Sequence, residues 1–169
     1  MIQILLDSGS EYSRAELAQM AIEAGYEWLI MPDDSPERLR DELPDISALC
    51  REAGVILTIA DNVAACREYG LHGVFLHKGA DPAAVRNDLG AEAIIGAEIA
   101  SAATATALAR ADIDYFALTP SDAAVIAEAR KAGVDKHFVA ITDNKETTET
   151  LLAEGFSGFI IPAAGCLTL

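Results

Sequence analysis

The sequence predicts a compact (β/α)8 TIM barrel with short helices and its last helix missing, a single domain over residues 1–169. Three observations carry this. A helix–glycine–strand unit recurs along the chain, the segments after the glycines are unbroken apolar runs, and strand candidates of this kind number eight. Apolar runs without alternation mark strands buried on both faces, as in a parallel sheet covered by helices.

The first strand is Ile2 to Leu6, followed by a helix over Ser13 to Ala24 that Gly25 ends. Glu27-Trp28-Leu29-Ile30-Met31 is the second strand, and Asp33-Asp34-Ser35-Pro36 turns into a helix with proline at its first position. Cys50-Arg51-Glu52-Ala53-Gly54 closes that helix and leads into Val55 to Ile59. A helix over Asp61 to Tyr69 stops at Gly70, before Gly73-Val74-Phe75-Leu76. Gly90 precedes Ala93 to Gly96, and a helix over Ala102 to Arg110 precedes Tyr115 to Leu118. Asp122 to Lys131 and Gly133 lead to Phe138 to Ile141; Lys145 to Ala153 and Gly155 lead to Gly158 to Ile161. Each glycine falls where a helix must stop with positive φ. An open flavodoxin-like sheet would need only about five or six strands and would discard two sound candidates.

The unit is about 20 residues, against about 30 in an ordinary barrel, so helices and loops are minimal. After the eighth strand the chain reads Pro162-Ala163-Ala164-Gly165-Cys166-Leu167-Thr168-Leu169, with no helix to cover the seam between strands eight and one. A homodimer covering that seam is the expectation.

Composition narrows the partners. Apolar residues make up 51% and charged residues 23%, as in a globular chain. Net charge is −15, which repels nucleic acid and anionic membrane surfaces. No apolar run reaches the roughly 20 residues needed to span a bilayer, and the start shows no signal-peptide pattern. A cytoplasmic location is expected. Cys50, Cys66 and Cys166 form no CxxC pair and are expected to be buried apolar residues.

In such barrels the working face is the rim of loops after each strand. That rim carries Asp7 and Ser8, Asp33 and Asp34, Asp61 and Asn62, His77 and Lys78, Glu98, Thr119 and Ser121, then Thr142, Asp143 and Asn144. Converging carboxylates there could hold a divalent cation or provide acid–base chemistry. Helix capping alone would equally explain Asp61, Asp81, Asp122 and Asp143. His77-Lys78 is the pair least explained by capping, combining an acid–base group with an anion-binding or Schiff-base group. Asp61, His77, Lys78 and Glu98 are therefore the catalytic candidates. His72 and His137 lie in turns on the opposite face and read as structural. Phosphate cradles in these barrels use glycine-rich loops after strands seven and eight; here the seventh is followed by Thr142-Asp143-Asn144-Lys145, and Gly165 alone remains after the eighth.

From Leu49 to about Tyr115 the chain resembles the thiamine-phosphate synthase and thiazole tautomerase family. Leu49 to Val63 is similar to the end of that family's second helix, its third strand and the Asn-Asp that follows; Gly70 to Lys78 is similar to its A-D-G-[IV]-H-[IL]-G-Q segment. Asp81 to Arg86, Ile94-Ile95-Gly96 and Ile113-Asp114-Tyr115 continue the resemblance. It implies a barrel enzyme joining a pyrimidine methyl pyrophosphate to a thiazole phosphate, with magnesium as cofactor and Asp61 and Asp81 as metal ligands. The family's Gln-Leu-Arg-x-Lys pyrophosphate grip stands here as Ile30-Met31-Pro32-Asp33-Asp34, and the serine ending strand five is Glu98. Its Asn-Asp becomes Ala60-Asp61, its Gln-Glu-Asp becomes Lys78-Gly79-Ala80-Asp81, and its Gly-Gly after strand seven is absent. Losing the basic grip removes charge-assisted bonds worth on the order of 1.5–3 kcal/mol each. The expectation is a divergent member that lacks pyrophosphate-dependent synthase activity and acts on a small uncharged or cationic metabolite. The alternative is a non-catalytic barrel that binds a small-molecule ligand or a protein partner.

Overall fold

The computed structural model describes residues 1–7 and 11–168 and shows a closed parallel barrel in which each strand pairs with its neighbours in chain order and β8 pairs with β1. The strands are β1 (Ile2–Leu5), β2 (Trp28–Met31), β3 (Ile56–Ala60), β4 (Gly73–Leu76), β5 (Ile94–Glu98), β6 (Tyr115–Leu118), β7 (His137–Ile141) and β8 (Gly158–Pro162). The helices are α1 (Arg14–Glu23), α2 (Pro36–Ala53), α3 (Val63–Glu68), α4 (Pro82–Leu89), α5 (Ala102–Leu108), α6 (Ala124–Lys131), α7 (Thr148–Ala153) and α8 (Ala163–Cys166). The closing helix is thus not wholly missing: a single turn, α8, follows β8 and packs against β8 and β1. No described helix is long and apolar enough to cross a membrane.

Local chemistry sets these limits. Ser13 accepts from the Glu16 N–H while the Glu16 carboxylate accepts from the Ser13 N–H, a reciprocal cap that starts α1. Gly54 ends α2 at φ 70°, a left-handed conformation that lets its N–H reach back to the Cys50 and Arg51 carbonyls. The strand-leading glycines at 25, 70, 90, 133 and 155 also have positive φ.

Alternate strand residues divide between two apolar cores. Leu29, Met31, Leu57, Ile59, Phe116 and Phe138 face the helices, whereas Trp28, Ile30, Phe75, Tyr115, Val139 and Ile160 fill the barrel. The Phe75 and Tyr115 rings lie parallel with centroids 6.5 Å apart. Gly96 makes room for them, because a Cβ there would stand 2.0 Å from Tyr115 Cζ. Cys50, Cys66 and Cys166 are buried and free, and burial pushes the Cys50 and Cys66 thiols up to about 11.

A polar pair lies deep inside. Tyr115 Oη donates to Gln3 Oε1 at 3.0 Å, and Gln3 Nε2 is buried with no partner among the described residues. Tyr115→Phe is expected to cost about 1–3 kcal/mol, because it leaves both ends of Gln3 unsatisfied. Adding Gln3→Met removes the stranded amide and should recover most of that loss. Urea denaturation midpoints of the single and double variants check this; a double variant no more stable than Tyr115→Phe alone would contradict it.

Candidate functional site

The rim after β3, β4 and β5 brings all four catalytic candidates together. His77 continues the inward row Gly73, Phe75 of β4, and its ring meets the edge of Phe75 at a centroid distance of 5.1 Å. Asp61 follows β3 with φ 57°, a left-handed backbone that Asp tolerates better than most side chains. In that pose its carboxylate reaches across to β4: Oδ1 accepts from the His77 N–H at 2.8 Å and Oδ2 accepts from Nδ1. A carboxylate only accepts, so Nδ1 carries a proton, and in the neutral ring the lone pair is on Nε2, which has no hydrogen-bond partner among the described residues. Asp61 is therefore not the helix cap; Asn62 caps α3 through the Ala65 N–H.

Beside this pair, Glu98 extends the inward row Ile94, Gly96 of β5 and is 16% exposed. Lys78, 54% exposed, places its ammonium 3.8 Å from Glu98 Oε1. His77, Lys78 and Glu98 share a cleft of about 330 Å³ between the β4 and β5 loops, walled by Pro82, Ile99 and Leu108. Thr104 and Leu108 of α5 also line it. They escaped notice in the sequence because nothing distinguishes an inner helix face from any other until the cleft is formed.

Most of the remaining rim candidates are engaged elsewhere, whereas the Asp7 and Asp143 side chains make no hydrogen bond or ion pair among the described residues. Asp81 caps α4, accepting from the Ala83 and Ala84 N–H groups. Asp61 is thus turned to His77, and Asp81 to the start of its helix through Oδ1. Among the described residues no group of three or more His, Cys, Asp or Glu is placed to hold a metal ion. Asp33 accepts from Asn62 Nδ2 at 2.8 Å. Asp34 binds Arg14 and Arg38; the Ser35 N–H, then the Arg14 guanidinium, hold its carboxyl below the usual range. Arg14 is buried and also pairs with Glu42, so the two arginines nearest that loop are already neutralised. Asp122 accepts from Thr119, Thr142 meets Thr147, and Asn144 caps the turn before α7. Ser8 lies outside the described residues. Across the barrel His72 accepts from the Leu57 N–H and His137 bonds Ser157, as structural residues do.

Between the loops after β7 and β8, Gly165 faces the Asp143 carbonyl and Lys145 Nζ lies 3.5 Å from the Cys166 carbonyl oxygen. A Cβ on Gly165 would stand 1.9 Å from the Asp143 carbonyl oxygen, so the space beside that glycine is filled by an acceptor. An anion needs donors there.

Comparison with known proteins adds ancestry to this geometry. The family profile described as thiamine monophosphate synthase matches residues 3–138. A thiamine-phosphate synthase of Bacteroides fragilis is 33% identical over 98 residues, covering 56% of this chain and 48% of the relative. Another, from an Azoarcus species, is 47% identical over 64 residues, covering 36% of this chain and 30% of the relative. The chain thus spans about half the length, or less, of these curated relatives. Among solved structures, thiamine phosphate pyrophosphorylase from Pyrococcus furiosus superimposes with a TM-score of 0.80 at 24% identity, over 96% of this chain and 85% of that one. An N-acetylmannosamine-6-phosphate 2-epimerase from Clostridium perfringens gives 0.69 at 13% identity, over 98% and 86%. At such identities these likenesses show the barrel fold alone.

Proposed function

This chain belongs to the thiamine monophosphate synthase family, and from that premise we propose that it is a divergent member, linked to thiamine biosynthesis, that transfers protons at the β3–β5 rim and does not displace pyrophosphate. The observation that carries the proposal is the Asp61 carboxylate held across the rim on His77 Nδ1, which leaves Nε2 basic. A general base needs that arrangement: a ring nitrogen with a lone pair, and a partner that fixes the tautomer.

Loss of the synthase reaction is supported at three places. Arg14 and Arg38 are tied to Asp34 and Glu42. Asp81 is tied to α4, and the Asp143 carbonyl stands against Gly165. Around Asp34 and Asp81 pyrophosphate would thus meet carboxylates where it needs cations and N–H donors. With the two phosphorylated precursors and magnesium, pyrophosphate release is expected to stay at the uncatalysed rate. Release above that background, measured by a coupled phosphate assay, would refute this part of the proposal.

A barrel that binds a small metabolite or a protein partner without catalysis is the second reading. The axis filled by Trp28, Phe75 and Tyr115 favours it. The convergence of His77, Lys78 and Glu98 on one cleft favours catalysis, because side chains kept only for solubility would diverge into solvent.

A further inference from the structure

We infer that the cleft between the β4 and β5 loops takes a small organic cation (an amine, an amidine or a protonated nitrogen heterocycle), with Glu98 as its anionic anchor. The inference rests on the proton-transfer proposal for the same rim and supplies its ligand class. Glu98 points along the inward row of β5 and is 16% exposed, yet neither carboxylate oxygen has a hydrogen bond among the described residues. A carboxylate offers about four acceptor positions, and those of Glu98 are open to a donor that enters the cleft. Its single ionic neighbour among the described residues, Lys78 Nζ, stands at 3.8 Å, beyond hydrogen-bond reach, on a side chain that is mostly in solvent. Such a loose pair is worth little and is readily exchanged for a closer donor.

The surroundings choose the sign and the body of that donor. Glu98 is the carboxylate that lines the cleft, and Asp61 stands behind His77 on the same rim, so a ligand entering the cleft meets one carboxylate, one exposed lysine and the His77 ring. A phosphate or carboxylate would be repelled by Glu98, whereas a cation replaces Lys78 at closer range. Pro82, Ala97, Ile99 and Leu108 provide an apolar wall that a bare metal ion would not use but an organic skeleton would. A cleft of about 330 Å³ is at the small end of the range for small-molecule sites, which limits the ligand to about one ring. His77 lines the same cleft, so a ligand anchored on Glu98 is held beside the basic nitrogen.

Benzamidinium and benzoate, alike in shape and opposite in charge, test this on the full chain by NMR titration at constant ionic strength. Benzamidinium is expected to shift the resonances of Gly79, Ala97 and Ile99 and to bind at least about tenfold tighter than benzoate. Glu98→Gln should bring the two ligands to within about twofold of each other. Lys78→Met, which removes the competing ammonium from an exposed position, should tighten benzamidinium binding by about threefold or more. Equal binding of both ligands, shifts outside the cleft, or selectivity that survives Glu98→Gln would overturn the inference. A protein that binds benzamidinium through Glu98 yet exchanges no protons refutes the proton-transfer proposal alone. One that exchanges protons but prefers benzoate refutes the ligand class alone.

Discussion

Gly73→Ala is expected to destabilise the barrel by about 3 kcal/mol or more, and in practice to yield little folded protein. A Cβ at this position would stand 1.9 Å from the Ile94 carbonyl oxygen and 2.7 Å from its carbon and nitrogen. The obstacle is backbone, which cannot rotate away as a side chain can. Ile94 is also held in place, because its N–H donates to the His72 carbonyl and its register partner is Gly73 itself. Moving it would open the β4–β5 ladder in a barrel that closes only if every ladder does. A domain of this size has on the order of 5–15 kcal/mol of stability, so the loss is a large share of the whole. Gly25→Ala is the control: nothing lies within 4 Å of its would-be Cβ, and only its positive φ of 85° is penalised, by about 1–2 kcal/mol. Thermal melting by circular dichroism should separate the two clearly. A Gly73→Ala protein melting within about 5 °C of the unaltered chain would contradict the steric account.

The barrel was legible in the sequence because its determinants are local. Gly54 and Gly155 announce helix ends through the backbone they alone accept cheaply, and Trp28-Leu29-Ile30-Met31 announces a strand buried on both faces through its unbroken apolar run. The expected strand limits lie within about two residues of those observed, the margin over which the ends of such elements fray. The eighth helix was missed because Ala163-Ala164-Gly165-Cys166 makes one turn with no capping side chain and no amphipathic period to betray it.

The site was half legible. That His77, Lys78 and Glu98 end adjacent strands follows from chain order, and their shared cleft follows from adjacency. What sequence could not supply is the division of labour between Asp61 and Asn62. Both are good caps, and the choice is made by a tertiary contact, the pull of His77 across the rim, which turns Asp61 left-handed and leaves Asn62 to the helix. Arg14 was invisible for a similar reason: a buried arginine is stable only once Asp34 and Glu42, far off in sequence, are brought to it.

Asp61→Asn is expected to lower proton exchange by about 10²–10⁴-fold while leaving the fold intact. Asparagine accepts the left-handed conformation at position 61 as well as aspartate does, and its amide oxygen can still take the His77 N–H. Its other end, however, is an NH2 donor. Facing Nδ1, it must find a lone pair there, so the imidazole proton moves to Nε2 and the basic nitrogen at the cleft is lost. Nitrogen-15 chemical shifts of His77 should report Nδ1–H in the unaltered protein and Nε2–H in the variant. A purely structural role for Asp61 would change stability but not the tautomer. Activity is read by proton NMR of a panel of small C–H acids in D2O, in which the protein should accelerate deuterium uptake by at least one compound. His77→Ala should reduce that rate by about the same factor as Asp61→Asn, because the two residues act as one unit. At 57% exposure the vacated position is open to free imidazole, which should restore part of the rate in His77→Ala and none in Asp61→Asn, where the native ring still fills the place. No exchange into any compound, or exchange indifferent to both substitutions, would leave the Asp61–His77 pair as a rim ion pair and the barrel as a binding scaffold.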